Sequence, residues 1–338
     1  MSTIKQVASQ AGVAQSTVSR VLNGGSVSKR TQERVLHAIE TLNFKPNTLA
    51  RSLATNRTGT FGMVVGDLAG PFFGSLMQEA EAVIRQHDKL LIIARGNSRA
   101  TGEREAIEYL REKRCDVLLL QVDELTDAEL IALSKDIPIV VMNRHIPELA
   151  GQCVYLDNQL GAELATSLLI ERGHRHIAHL SGPMTRRDSQ QRVAGFHAAL
   201  ARQPHPLEPA AIVEGDYQVE GGYAATCKLL ADGVRFSALF SANDNMAIGA
   251  IEALREHNLR VPDDVSVIGF DDVFFARHLT PKLTTIEYPV AELGRIAAER
   301  ALKLMDGTLE PTGLAPLAPR LITRESVINH QDADDTHI

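Results

Sequence analysis

Asp67, Asn143, Asn243 and Asp271 each stand one or two residues beyond the end of a short apolar run: 61–66, 137–142, 238–241 and 265–269. If those runs are parallel strands, the four side chains gather at the carboxyl ends of a sheet, where open α/β folds bind ligands. Phe72 and Phe73 follow the first run closely, Arg144 and Asp244 neighbour the two asparagines, and Arg192 and Tyr217 fall in the second half of the chain. Carboxylates, amides and a guanidinium fork each bridge vicinal hydroxyls, and an aromatic face covers the apolar side of a ring. That mixture suits a sugar. Taken singly, any one of these Asp or Asn residues is equally a helix N-cap, and Tyr217 equally a core aromatic.

Catalysis finds no comparable foothold. The chain has no G-x-x-x-x-G-K-[ST], no H-E-x-x-H and no G-x-S-x-G, and the S-x-x-K at Ser26–Lys29 lacks its companion motifs. His174, His176 and His179 suggest a metal at first sight, but on an extended segment His179 points opposite to the other two. Neither a metal nor a cofactor is expected. Cys115, Cys153 and Cys227 are odd in number and far apart, which argues against a disulfide framework.

A second group of polar residues lies near the start. Thr3 and Gln6 form a capping-box pattern that starts a helix on Ile4, Ala8 permits a close helix crossing, and Gly12 supplies the positive φ of a tight turn. Val18 then faces inward on a second helix whose other face is Gln15, Ser16, Ser19 and Arg20, with Thr17 beside it. The first turn of such a helix reaches base edges in a major groove; Arg20 suits guanine, and Thr17 and Ser19 suit phosphate oxygens. A third helix starts at Ser28 with Val35, Ile39 and Leu42 inward. An ordinary surface hairpin explains the turn but not this polar, basic face.

The charge distribution agrees. Residues 1–58 hold eight Lys or Arg and two Glu, a net of +6, while the other 280 residues hold 27 basic and 40 acidic residues, a net of −13. A basic head on an acidic body fits a polyanion-binding module on something that stays off the polyanion.

The elements that must position these groups are legible as patterns. Candidate strands are 61–66, 90–94, 116–121, 137–142, 176–181, 238–241 and 265–269. Between them run helical patterns such as Leu76-Ala80-Val83-Ile84 and Leu164-Leu168-Leu169, the latter closed by Gly173. Repeated βα units predict parallel sheets covered by helices, in number enough for two lobes. Pro46 ends the third helix, and Asn47 caps a short segment over 48–55, too short to be a stable helix alone. With 338 residues, 44% of them apolar, two or three domains have ample core. No apolar run approaches a membrane span and the start lacks a signal-peptide pattern, so a cytosolic protein is expected.

Thr17-Val18-Ser19-Arg20-Val21-Leu22-Asn23, Phe44-Lys45-Pro46-Asn47 and Leu49-Ala50-Arg51-Ser52-Leu53-Ala54 closely resemble the lactose/galactose repressor family of bacterial transcription factors. The resemblance extends to about Asn329, and at Val64-Val65-Gly66-Asp67, Pro71-Phe72-Phe73 and Gly269-Phe270-Asp271-Asp272 it looks most like the galactose repressors. It implies a helix-turn-helix headpiece (1–46), a hinge helix and linker (47–59), and a two-lobed α/β core of parallel sheets like a periplasmic binding protein (60–330). The lobe boundary falls near 160 with crossovers near 288 and 320, and an acidic tail (331–338) follows. The resemblance places DNA contacts at Thr3, Gln15, Ser16, Thr17, Ser19, Arg20, Asn23, Ser28, Leu53 and Ala54, with Leu53 as the wedge that opens a base step. It places effector contacts at Asp67, Phe72, Asn143, Arg192, Tyr217, Asn243 and Asp271.

The implied protein is a homodimeric repressor on a near-palindromic DNA operator, controlled by a sugar, with galactose the first choice. The tail has no leucine heptads, which favours a dimer over a tetramer. Three departures stand out: Ala14 where many relatives have a capping Ser, a loop over 23–28 about one residue short, and Phe44 in place of a Tyr. A sugar-binding transport component is the alternative, against which stand the basic head and the missing leader. A cytosolic sugar kinase or isomerase would need a phosphate cradle or metal set that the sequence lacks.

Overall fold

Thr3 opens the first helix as its spacing predicts: its side chain accepts the Gln6 N–H, and Gln6 Oε1 accepts the Thr3 N–H at 2.8 Å. The computed structural model describes residues 2–22, 25–44, 57–202 and 211–330. It divides into two units, Met1–Gly59 and Thr60–Ile338. In the first, α1 (Ile4–Ala11) ends at Gly12, whose φ of 61° makes the turn. Then α2 (Gln15–Leu22) begins at Ala14, which offers only its carbonyl, to the N–H groups of Thr17 and Val18. Ser28 caps α3 (Lys29–Thr41) through the Thr31 N–H, and Arg34 donates to the Gly12 carbonyl at 3.3 Å, tying α3 to the turn. Val7, Ala8, Ala11, Val18, Val35, Ala38 and Phe44 make the core, with Ile39 and Leu42 packed against it. Phe44 is thus an apolar closure of the head. Residues 47–56 of the hinge and linker, which include Leu53 and Ala54, lie outside the described residues, as do Asn23 and the acidic tail.

The second unit carries two sheets. The first has order β2-β1-β3-β4-β5, all parallel, from β1 (Thr60–Val65), β2 (Leu90–Arg95), β3 (Val117–Leu120), β4 (Ile139–Met142) and β5 (Cys153–Val154). The second has order β11-β10-β9-β8-β6-β7, from β6 (Ile177–Ser181), β7 (Ile212–Glu214), β8 (Ala238–Ser241), β9 (Ser266–Asp271), β10 (Thr284–Glu287) and β11 (Arg320–Ile322). Only β11 runs antiparallel to its neighbour. All seven sequence-predicted strands form. The four that were not predicted are two to four residues long, and β10 reads Thr-Thr-Ile-Glu, without an apolar run. Its threonines are buried because they are satisfied: Ser326 Oγ accepts the Thr284 N–H, and Asp244 accepts the Thr285 hydroxyl at 2.6 Å.

Helices cover both sheets: α4 (Pro71–Gln86), α5 (Ala100–Glu112) and α6 (Asp127–Asp136) in the first lobe, α7 (Asn158–Glu171), α8 (Arg187–Ala201), α9 (Val219–Ala231) and α10 (Asp244–Glu256) in the second. The next helix, α11 (Val290–Asp306), follows β10 yet packs on α4, β3, β4 and β5 of the first lobe. Gly294 allows this: a Cβ there would meet the Leu76 carbonyl at 2.5 Å. The chain therefore crosses between lobes after β5, after β10 and before β11. Two of the crossings bond to each other, Leu317 N–H to the Tyr155 carbonyl at 2.7 Å and Asp157 N–H to the Leu317 carbonyl at 3.1 Å. One apolar cluster spans both lobes, from Phe61 and Leu76 to Phe240, Phe270 and Ile286.

Candidate functional site

The strand ends of the second lobe bring four expected residues together. β9 ends on Asp271 with φ 109°, a left-handed backbone that turns its carboxylate inward. Arg192, from α8, lies 3.7 Å from Asp271 Oδ1, too far for a hydrogen bond. Its fork is already engaged: Nε donates to Asn158 at 3.1 Å, Nη1 donates to the Ala242 carbonyl, and the plane lies 3.8 Å from the Phe270 ring centroid. Asp271 Oδ1 is buried and has no hydrogen-bond partner. Burial pushes this carboxyl up to about 7; Arg192 pulls against that and Asp188 adds to it.

Tyr217, at φ 68°, sits over Gly182 and shares a hydrogen bond of 2.7 Å with Ser189 Oγ, and burial raises its phenol pKa. Asn243 caps α10: its Oδ1 accepts the Met246 N–H and its Nδ2 donates to the Tyr217 carbonyl at 3.0 Å. The cap role anticipated for an Asn in this position is therefore filled, and through it Asn243 positions Tyr217.

The first lobe contributes Asn143 and Phe72. Asn143 ends β4 at φ 57° and accepts the Tyr288 hydroxyl at 2.7 Å. Phe72 stands edge-on to Tyr288 with centroids 5.3 Å apart. Asp67 caps its own turn through the Leu68 and Ala69 N–H groups and lies 3.3 Å from Arg95; no contact joins it to the others.

Sequence reasoning missed three contributors. Tyr288, buried, reaches from the end of β10 to the first lobe; reading 284–287 as a strand would have found it. Asp188, in the first turn of α8, raises the pKa values of both Asp271 and Tyr217, and its place beyond β6 was a usable signal. Asp123, beyond β3, accepts from Ser98 at 2.8 Å and from Gln121 at 3.3 Å, and burial raises its pKa despite Arg186 beside it. Several acceptors, with Arg192 beside the rings of Phe270 and Tyr217 and Arg186 beside that of Tyr217, have the chemistry to hydrogen-bond a polyol. Among the described residues no cluster of His, Cys, Asp or Glu could hold a metal ion. His179 stacks on Phe240 and His174 bonds to Ser237, each with its pKa lowered to about 4 by burial.

The first unit presents the other expected face. Gln15, Ser16 and Arg20 are exposed on α2, with Thr17 and Ser19 partly so. The side chains of Thr3 and Ser28 cap their helices and are exposed.

A helix-turn-helix head and a two-lobed α/β core of parallel sheets are the architecture of a DNA-binding regulator. Comparison with known proteins narrows the class. Residues 3–47 match the model of bacterial regulatory proteins of the lacI family, and residues 166–327 match that of a periplasmic binding protein-like domain. The chain is 40% identical over 335 residues to the HTH-type transcriptional regulator GalS of Salmonella typhimurium, covering 98% of each. It is 35% identical to the ribose operon repressor of Haemophilus influenzae, covering 97% of this chain and 99% of the relative. The crystal structure of the lac repressor dimer bound to operator and the anti-inducer ONPF superposes with a TM-score of 0.86 at 30% identity, covering 97% of this chain and 99% of that one. The chain belongs to the lacI family: it is a DNA-binding transcriptional repressor and not an enzyme.

Proposed function

We propose that this repressor acts as a homodimer on a near-palindromic operator of sugar-utilisation genes. A small sugar held between the two lobes controls its operator affinity, with D-galactose or a related hexose or glycoside the first choice. Two heads read half-sites in successive major grooves through Gln15, Ser16, Thr17, Ser19 and Arg20. The segment 47–59, with Leu53 and Ala54, couples the heads to the core. Thr3, Asn23 and Ser28 complete the DNA-facing set. Such a regulator works in the bacterial cytoplasm, and no helix among the described residues is long and apolar enough to cross a membrane.

The observation that carries the sugar reading is Asp271. A buried carboxylate oxygen without a partner, 3.7 Å from an Arg192 guanidinium that is itself engaged elsewhere, is stabilised by a ligand hydroxyl that donates to it. Arg192, Tyr217, Asn243 and Asp271 line the second-lobe side; Phe72, Asn143 and Asp67 belong to the first. The sugar biases the lobes only by its differential affinity for two arrangements. The test is a fluorescence anisotropy titration on a labelled operator of the galactose type, with D-galactose, D-ribose or neither at millimolar concentration, at two salt concentrations. A galactose-dependent change in operator affinity supports the reading, and a ribose-dependent one reassigns the effector. Salt-sensitive binding unmoved by any sugar rejects the sugar.

A further inference from the structure

Two consecutive arginines at the start of α8 reach across to the other lobe. Arg187 donates to Asp127 Oδ2 at 2.6 Å, and Arg186 Nη2 lies 3.5 Å from Asp123 Oδ2. Both carboxylates follow β3, on a segment that the first lobe has already made rigid. Glu103, buried in α5, accepts the backbone N–H groups of Asp123, Glu124 and Leu125. Arg144 donates to the other oxygen of Asp127 at 2.8 Å and to the Leu125 carbonyl at 2.6 Å. The first-lobe half of the contact is therefore held independently of the second lobe.

The position of the contact gives it leverage. The chain crosses between lobes beside β5, an edge of the first sheet, and beside β10 and β11, an edge of the second. β3 lies two strands from the first edge, and β6, which feeds α8, lies three strands beyond β10. At about 4.8 Å per strand the pairs stand about 10 Å and 15 Å from the crossings. A rotation that the crossing segments barely register displaces groups this far out by ångströms, enough to break ion pairs. The contact also borders the proposed sugar site, since the Arg186 guanidinium lies 5.3 Å from the Tyr217 ring centroid.

We infer that Arg186–Asp123 and Arg187–Asp127 form an ionic clasp that holds the two lobes in the arrangement seen here. The ionic strength then sets the lobe equilibrium of the core, separately from the salt dependence of the heads on DNA. The consequence for sugar binding rests on the sensor reading proposed above; the clasp itself does not. Arg187 and Asp127 are half-exposed, at 50% and 33% of their side-chain surface, while Arg186 and Asp123 are more enclosed at 22% and 11%. Raising salt from 50 to 500 mM shortens the screening length from about 14 Å to about 4 Å, so the outer pair yields first.

Hydrogen exchange of the full-length protein tests this, comparing wild type with Arg187→Gln, with the Arg186→Gln/Arg187→Gln double variant, and with Lys282→Gln. The last breaks a surface pair within one lobe, Lys282–Glu325, as a control. Amides of 121–127 and 183–192 should exchange at least threefold faster in the double variant, less so in R187Q, and unchanged in K282Q. Wild type in 500 mM salt should shift the same way, and the double variant should respond less to salt. Equal exchange in wild type and double variant, or an equal salt response in both, overturns the clasp. Millimolar D-galactose is then added to each protein. Clasp-dependent exchange that galactose leaves untouched retains the clasp and rejects galactose, whereas protection by galactose without clasp dependence does the reverse.

Discussion

Asp271 ties the chemistry of the site to pH. Its carboxyl stands at about 7 in the folded chain against 3.8 in the open, because burial outweighs Arg192. An acid whose folded pKa is raised binds its proton more tightly when folded. Its contribution to stability is therefore full below about 4 and is lost as pH rises toward 7, at about 1.4 kcal/mol per unit. His179 and His174 act oppositely: held neutral by burial, with folded values of about 4 against 6.5, they lose stability as pH falls through that window. Comparing wild type with Asp271→Asn by urea unfolding between pH 4.5 and 7.5 isolates the carboxyl. The difference should change by several kcal/mol across the window, and a constant difference would contradict the assignment. Ligand binding carries the complementary sign. A hydroxyl donating to the Asp271 carboxylate lowers its pKa, so sugar affinity should rise with pH up to about 7 and then level off. Titration calorimetry should show that slope in wild type and lose it, with most of the affinity, in D271N.

Elements hold such residues through a few local devices. Glu103 is one: a carboxylate inside α5 that gathers three consecutive backbone N–H groups of the segment carrying Asp123. Glu103→Ala leaves those donors without an acceptor and should cost about 2–4 kcal/mol. Glu103→Gln, which keeps one acceptor oxygen, should recover part of it, as thermal unfolding of the two variants would show. Gly12 is the corresponding device in the head. Its φ of 61° is a backbone that other residues adopt only under strain, and a Cβ there would displace the Arg34 guanidinium that ties α3 to the turn. Gly12→Val should strain the turn by about 1–2 kcal/mol, a large share for a head with only seven buried apolar residues among those described. Operator affinity should fall at least tenfold while sugar binding stays within twofold; a parallel loss of both would show that the two units do not fold independently.

At the scale of the molecule, the division at Gly59/Thr60 and the opposite charges of the two parts predict separable functions. A fragment starting at residue 60 should remain folded, bind sugar as the full chain does, and show no DNA binding at low salt, because it lacks α2 and carries a net of −13 with the tail included. Anisotropy on random and operator DNA checks the last point and calorimetry the second. A fragment that still binds operator would move the DNA-reading surface out of the head.

The sequence by itself determined whatever is decided within a few residues: the Thr3/Gln6 cap, the Gly12 turn, the Ser28 cap, the exposed Gln15, Ser16 and Arg20 on α2, and seven of the strands. Their hydrogen bonds and periodicities close over one turn or one pleat, so residue types at fixed spacing suffice. Strand-end placement likewise made Asn243 and Asp271 legible, and the family resemblance added Arg192 and Tyr217. Tertiary structure alone decided that Asn243, a foreseeable cap, would also hold a tyrosine carbonyl, and that Tyr288 would meet Asn143 across 145 positions. It also sent α11 back to the first lobe and set Arg186 and Arg187 against Asp123 and Asp127. Apart from the Asn243 contacts, which lie within the second lobe, those pairings join segments from different lobes. The partner of each group is chosen by how two sheets and their shared apolar core pack, and no local pattern in the sequence carries that information.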